Sequence, residues 1–163
     1  MFKTTIITVS DRGYRGERED KSGQTIKELL HGLDLEVIDY RIVPDEKDQV
    51  RDALIDTIDN LGSDLVFTTG GTGLSPRDVT PDATLDVIEK EVPGFAEVMR
   101  AESLKKTPHA MISRALCGVR KSSLIVNLPG SPKAVAECLA VILPALPHAL
   151  SKLKGDPSDC GTP

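Results

Sequence analysis

The chain has 163 residues, enough for one domain with a full hydrophobic core. Hydrophobic residues make up 39% and charged residues 28%, the balance of an ordinary soluble globular protein. A formal charge of −5, 3% aromatics and no Trp argue against a nucleic-acid partner, which needs a basic surface and stacking platforms.

Lys3 to Val9 is β-branched and ends at Ser10-Asp11-Arg12-Gly13, which predicts a buried strand followed by a polar loop. This start carries no extended apolar segment and no small-residue cleavage pattern, and no run approaches the roughly 18 apolar residues of a membrane span. A cytoplasmic protein without a membrane partner is expected. Residues 11 to 21 are densely charged and read as a lid or a solvated loop. Ser22 is placed to cap a helix carrying Ile26, Leu29, Leu30 and Leu33. Leu35 to Val43 is a second strand. Pro44-Asp45-Glu46 ends it and starts a helix with Val50, Leu54, Ile58 and Leu61 on one face, closed by Gly62. Asp64 to Thr69 is a third strand, leading into Gly70-Gly71-Thr72-Gly73.

Thr80-Pro81 starts the next helix, with Thr80 as cap and Asp82 and Asp86 near the positive end. Val92-Pro93-Gly94 breaks it, and Phe95 to Lys105 is helical again. Thr107 to Arg114 has no clear period. Ala115 to Arg120 and Ser123 to Asn127 form a hairpin around Lys121-Ser122. Pro129-Gly130-Ser131-Pro132 is a turn whose Ser131 caps a last helix with Val135, Cys138, Leu139, Ile142 and Leu146. Pro144 and Pro147 kink or restart that helix. We expect a single domain over residues 1–155 and a short, frayed tail over 156–163. Cys117, Cys138 and Cys160 are too few and too scattered for a disulfide framework or a zinc site.

The order βαβαβα predicts a three-layer α/β fold: a mostly parallel sheet, helices on both faces and an antiparallel edge. Ligands of such sheets bind beyond the carboxyl ends of strands. Four polar loops lie there: Ser10 to Gly13, Pro44 to Glu46, Gly70 to Asp78, and Pro129 to Pro132. Glycines let backbone N–H groups approach an anion, so Gly70 to Gly73 suit a phosphate. Asp45 reads either as a helix cap or as a site carboxylate, and Asp78 either as an ion-pair partner or as a second one. Paired carboxylates beside a phosphate cradle suit Mg²⁺. Arg77 and Arg114 could pair phosphates. His31, His109 and His148 are scattered and make no histidine metal site.

Thr68-Thr69-Gly70-Gly71-Thr72-Gly73, Pro76-Arg77-Asp78-Val79-Thr80-Pro81-Asp82-Ala83 and Asn127-Leu128-Pro129-Gly130-Ser131-Pro132 together resemble the signatures of the molybdenum-cofactor biosynthesis (MogA/MoaB) family. Val9 to Arg12, Pro44 to Glu46, Pro93 to Phe95 and Ser113 to Ala115 follow in matching order, and the MogA branch is the nearer. The resemblance implies adenylyl transfer from Mg·ATP to molybdopterin, with release of pyrophosphate. It implies that Asp45 serves ATP, Mg²⁺ and catalysis, and that Asp78 serves molybdopterin binding and catalysis. Thr69, Gly70, Gly71, Thr72 and Gly73 would hold a phosphate, and Ser113 would lie near the pterin. Ser10, Asp11, Asn127, Pro129, Gly130 and Ser131 would line the rim. A homotrimer and a molybdenum-inserting partner enzyme are implied as well. The alternative is a MoaB-like molybdopterin-binding protein or scaffold with little catalysis.

Overall fold

A computed structural model of the chain describes residues 1–158. Cys160 and the end of the predicted tail, 159–163, lie outside the described residues.

Strands and helices alternate through the first half as the sequence predicts, except that a short helix opens the charged segment after the first strand, in place of the lid or loop expected there. Strand β1 (Phe2–Val9) is followed by the short helix α1 (Asp11–Tyr14), helix α2 (Lys21–Leu30) and strand β2 (Leu35–Val43). Helix α3 (Lys47–Asp59), strand β3 (Leu65–Thr69) and helix α4 (Thr80–Leu85) come next. The second half holds β4 (Lys90–Glu91), α5 (Pro93–Leu104), a 3-10 turn (Pro108–Ile112), β5 (Cys117–Arg120), β6 (Ser123–Leu128), α6 (Pro132–Ile142) and α7 (Leu146–Leu153).

One six-stranded sheet runs in the order β2-β1-β3-β6-β5-β4. Strands β2, β1, β3 and β6 are parallel, and β5 and β4 form the antiparallel edge. The hairpin therefore does more than extend an edge: its second strand, β6, is a fourth parallel strand beside β3. Both faces are covered. Ile6, Phe67 and Val126 pack under α2, α5, α6 and α7, while Ile7, Val66 and Ile125 pack under α3 and α4. Burial on two faces explains the unbroken apolar runs of β3 and β6.

Several helix starts differ from the sequence reading. Asp20, not Ser22, caps α2 by accepting from Gly23 N, and the Ser22 hydroxyl donates to the Gly130 carbonyl at 2.6 Å. Thr80 lies inside α4, and its hydroxyl donates to the Gly70 carbonyl at 2.8 Å. Asp45 is no cap: α3 begins after Glu46 without a side-chain cap. Pro93 opens α5 instead of ending α4, whose place is taken by the two-residue β4. Ser131 caps α6 as expected, accepting from Ala134 N at 3.2 Å. Between Pro132 and Leu153 the helical path is apolar and long enough, by length and composition, to cross a membrane. It is interrupted at Leu143–Ala145, and Val135, Leu139, Ile142, Leu146 and Leu150 are buried in the core.

Candidate active site

The four strands β1, β2, β3 and β6 point their carboxyl ends at one rim, and all four predicted polar segments meet there, the first of them as helix α1, capped by Ser10, instead of a loop. Chain connectivity reverses between β1 and β3, the position where open α/β sheets take their ligands. At this point lies a polar cavity of 680 Å³. Its walls include Ser10 after β1, Thr69 and Gly70 at the end of β3, and Gly130 and Ser131 before α6. Arg18, Asp20, Lys21 and Ser22, at the start of α2, complete it. Two helix amino termini, those of α2 and α6, open into this space and bring the positive ends of their dipoles with them.

A second cavity, 260 Å³ and mainly apolar, lies between α5, the 3-10 turn and α6. Thr72, Gly73, Ser113, Asn127 and Pro129 reach it, together with Met99 and Arg100. Arg100 Nη1 donates to the Ala115 carbonyl at 2.7 Å and so braces the wall that carries Ser113.

The glycine loop divides the two cavities, with Gly70 on the polar side and Thr72 and Gly73 on the apolar side. Gly70 and Gly71 have φ of +94° and +66°. A Cβ on Gly70 would stand 2.5 Å from the Val9 carbonyl oxygen, and one on Gly71 2.4 Å from Thr80 Oγ1. Side chains are thus excluded at both residues by conformation and by space. The loop is pinned to its neighbours: Thr69 Oγ1 donates to the Pro129 carbonyl at 2.7 Å, and Gly70 N to the Leu128 carbonyl at 3.3 Å.

The two proposed carboxylates stand at the two ends of this loop. The Cβ position of Gly71 lies 3.4 Å from Asp45 Oδ1, and that of Gly73 lies 2.8 Å from Asp78 Oδ2. Asp78 Oδ2 also accepts from Ser75 N at 2.8 Å. Asp45 Oδ2 accepts from Asp11 N at 2.7 Å, and Asp11 Oδ1 accepts from Asp45 N at 3.0 Å. Partial burial holds the Asp45 carboxyl above its usual range; the charges of Asp11 and Asp78 act the same way, while the Asp11 N–H and Arg77 oppose them. Asp11 is held below its usual range, chiefly by its hydrogen bonds from Arg77.

Neither arginine proposed for phosphate is free. Arg77 donates to both Asp11 oxygens and pairs with Glu46. Arg114 donates to the carbonyls of Gly73 and Asp78 and pairs with Asp82. Asn127 is fully buried: Nδ2 donates to Thr68 Oγ1 and Thr84 Oγ1, and Oδ1 accepts from Leu116 N. Its side chain is spent on the protein. Sequence reasoning missed Asp20, Thr8 and Tyr40, which form one cluster: the Asp20 carboxylate accepts from both hydroxyls. An Asp three residues before a glycine was visible, but the neighbouring Ser22 was the more obvious cap.

Two hollows separated by a glycine loop at a topological switch point define an open-sheet α/β protein with its candidate site at the carboxyl ends of the strands. The chain belongs to the molybdenum-cofactor biosynthesis family: residues 5–148 match the family described as "Probable molybdopterin binding domain". It is 45% identical to a molybdopterin adenylyltransferase of Helicobacter pylori, over 93% of this chain and 87% of that one. To the molybdopterin adenylyltransferase of Escherichia coli K12 it is 42% identical, over 82% of this chain and 70% of that one. Among solved structures, the molybdopterin biosynthesis enzyme MoaB of Thermus thermophilus superposes with a TM-score of 0.91 at 51% identity, covering 98% of this chain and all of that one. The Mog protein of Mycobacterium ulcerans superposes at 0.89 with 37% identity, covering 94% and 99%.

Proposed function

We propose that this protein is a molybdopterin adenylyltransferase, moving AMP from ATP to molybdopterin and releasing pyrophosphate. The observation that carries the reading is the pair Asp45 and Asp78, held at opposite ends of a glycine loop that separates a polar from an apolar cavity. Relatives from H. pylori and E. coli bear this activity in their names at 42–45% identity.

The apolar cavity, with Ser113 in its wall, suits the flat pterin, and molybdopterin's phosphate would then lie at Thr72 and Gly73. The polar cavity, with Ser10, Thr69, Gly70, Gly130 and Ser131, suits the nucleotide. An oxygen of molybdopterin's phosphate then attacks the α-phosphorus of ATP, and the bond to the pyrophosphate oxygen breaks. Asp78 would orient the attacking phosphate, and Asp45 would serve the nucleotide. No covalent enzyme intermediate is needed, so positioning and charge neutralisation carry the rate.

Mg²⁺ fits this donor set. Among the described residues no three His, Cys, Asp or Glu side chains form a ready-made metal cage. Mg²⁺ needs none, since it takes one or two carboxylates, waters and substrate phosphates. Asp45 would hold it, because Oδ2 is tied to Asp11 and Oδ1 faces the loop. The ion would neutralise charge on the transferring group. The local charge supports it: Asp11, Asp45, Glu46, Asp78 and Asp82 gather on the rim, where Arg77 and Arg114 are already paired with carboxylates, so a polyphosphate beside them would be helped by a cation.

A homotrimer and a partner enzyme that inserts molybdenum are carried over from the family resemblance, and sedimentation and pull-down measure them. A cytoplasmic location agrees with the free thiols of Cys117 and Cys138. The test of the function is incubation with molybdopterin, ATP and Mg²⁺, followed by chromatography for adenylyl-molybdopterin and pyrophosphate. Folded protein that forms neither product leaves the MoaB-like binding role instead. Asp78→Asn should lower turnover on the order of 10²-fold or more with the melting temperature unchanged; normal turnover would remove Asp78 from the mechanism.

A further inference from the structure

We propose that Arg77 and Asp11 are positioning residues that set the pose of Asp45, acting through a closed ring of hydrogen bonds. The proposal rests on the reading of Asp45 as a residue of the reaction. Arg77 is half exposed, yet each of its guanidinium nitrogens has a protein acceptor. Nε donates to Asp11 Oδ2 at 3.0 Å, Nη2 to Asp11 Oδ1 at 2.9 Å, and Nη1 pairs with Glu46 Oε1 at 2.8 Å. Asp11 and Asp45, in turn, clasp each other, each accepting the other's backbone N–H.

This ring joins three rim loops. Arg77 and Asp11 are 66 residues apart in sequence, and Asp11 and Asp45 are 34 apart. Two carboxylates brought this near to each other repel, and the Asp45 carboxyl feels Asp11 and Asp78 as like charges. The guanidinium neutralises Asp11 from the outside and so lets the clasp close. One oxygen of Asp45 is thereby fixed on Asp11 N, and the other is left facing Gly71. Glu46 holds the far side of the guanidinium. Exposed ion pairs stabilise little, so the use of this network is geometric. Arg77 also adjoins Asp78, which makes it a tie between the segments that carry the two carboxylates.

The test compares Arg77→Met, Arg77→Lys, Asp45→Asn and the double variant Arg77→Met/Asp45→Asn. Arg77→Met should lower kcat by about 10- to 100-fold while KM for ATP and molybdopterin stays within about threefold. Arg77→Lys should recover part of the loss, since it keeps the charge but not the bidentate fork. In the Asp45→Asn background, Arg77→Met should add nothing further. Losses that multiply, or a rise in KM alone, would show direct contact with substrate and overturn the proposal. A second readout needs no turnover. Amide hydrogen exchange at Asp11 and Asp45 should accelerate in Arg77→Met at unchanged melting temperature, and unaltered exchange would overturn the clasp. If the wild-type protein forms no product, the proposed reaction fails, and the exchange measurement still decides the clasp.

Discussion

Asn127 has no exposed surface, and its amide satisfies two threonine hydroxyls and one backbone N–H. It ties β6 to β3 through Thr68 and to α4 through Thr84. Asn127→Ala would leave buried partners unpaired, at a cost of about 1–3 kcal/mol, read as a lower urea midpoint. Residual folded Asn127→Ala protein should bind molybdopterin nearly as well as wild type; a large loss of molybdopterin affinity at unchanged stability would instead mark it as a ligand contact. At this scale the sequence was a partial guide. Residue types that suit a ligand were visible at Asp45, Asp78 and Gly70 to Gly73. Whether a polar side chain faces a ligand or the protein is a three-dimensional question, and for Asn127, Arg77 and Arg114 the protein claims the side chain.

The start of α2 is the element on which the polar cavity depends. Asp20 Oδ1 accepts from Gly23 N at 2.9 Å, while Oδ2 accepts from Thr8 on β1 and Tyr40 on β2. Gly23 is required beside this cluster, since a Cβ there would stand 2.3 Å from Asp20 Oδ2. Asp20→Ala removes the cap and the shared acceptor, and should destabilise by about 1–3 kcal/mol. Nucleotide binding should weaken with it, because Asp20, Lys21 and Ser22 form one wall of the cavity. Calorimetric titration with a non-hydrolysable ATP analogue checks this, and undiminished affinity would separate the cap from the site. Periodicity and β-branched runs made every major strand and helix legible, because burial on one or two faces writes directly into sequence. Helix starts were less so. Ser22 and Thr80 have the right chemistry for caps, but each hydroxyl is used on a loop carbonyl instead, Gly130 and Gly70 respectively. The pairing of β6 with β3 was also hidden, since a hairpin's own sequence does not say which of its strands will meet the rest of the sheet.

For the molecule as a whole, an ion cluster joins the amino-terminal half to the hairpin. Asp59, the last residue of α3, takes a bidentate pair from Arg120 and a third contact from Lys121 at 3.0 Å. Arg120, by its hydrogen bonds, is the main cause that lowers the Asp59 carboxyl from 3.8 to about 2. A carboxyl depressed in the folded state contributes stability that is full above its unfolded value and is lost as pH falls through its folded value. Stability should therefore decline from about pH 4 toward pH 2. Asp11, Asp56 and Asp82 are lowered by their arginine partners or by hydrogen bonds and act in the same direction. Asp59→Asn should be less stable at neutral pH and show a shallower acid decline in urea titrations run across this range. An unchanged slope would assign the acid sensitivity to the other carboxylates.

The central place of β6 also bears on how the chain is made. Strands β1, β2 and β3 are complete once residue 69 has been synthesised, but β3 has β1 on one side only until Ser123–Leu128 follows. During that interval a strand that ends up fully buried presents an open row of N–H and C=O groups, the feature through which nascent chains pair with one another. The same delay governs the binding rim. The Pro129 carbonyl that receives Thr69, and the Leu128 carbonyl that receives Gly70 N, emerge from the ribosome after most of the chain. The glycine loop thus acquires its final shape late in synthesis, when the sheet closes around it.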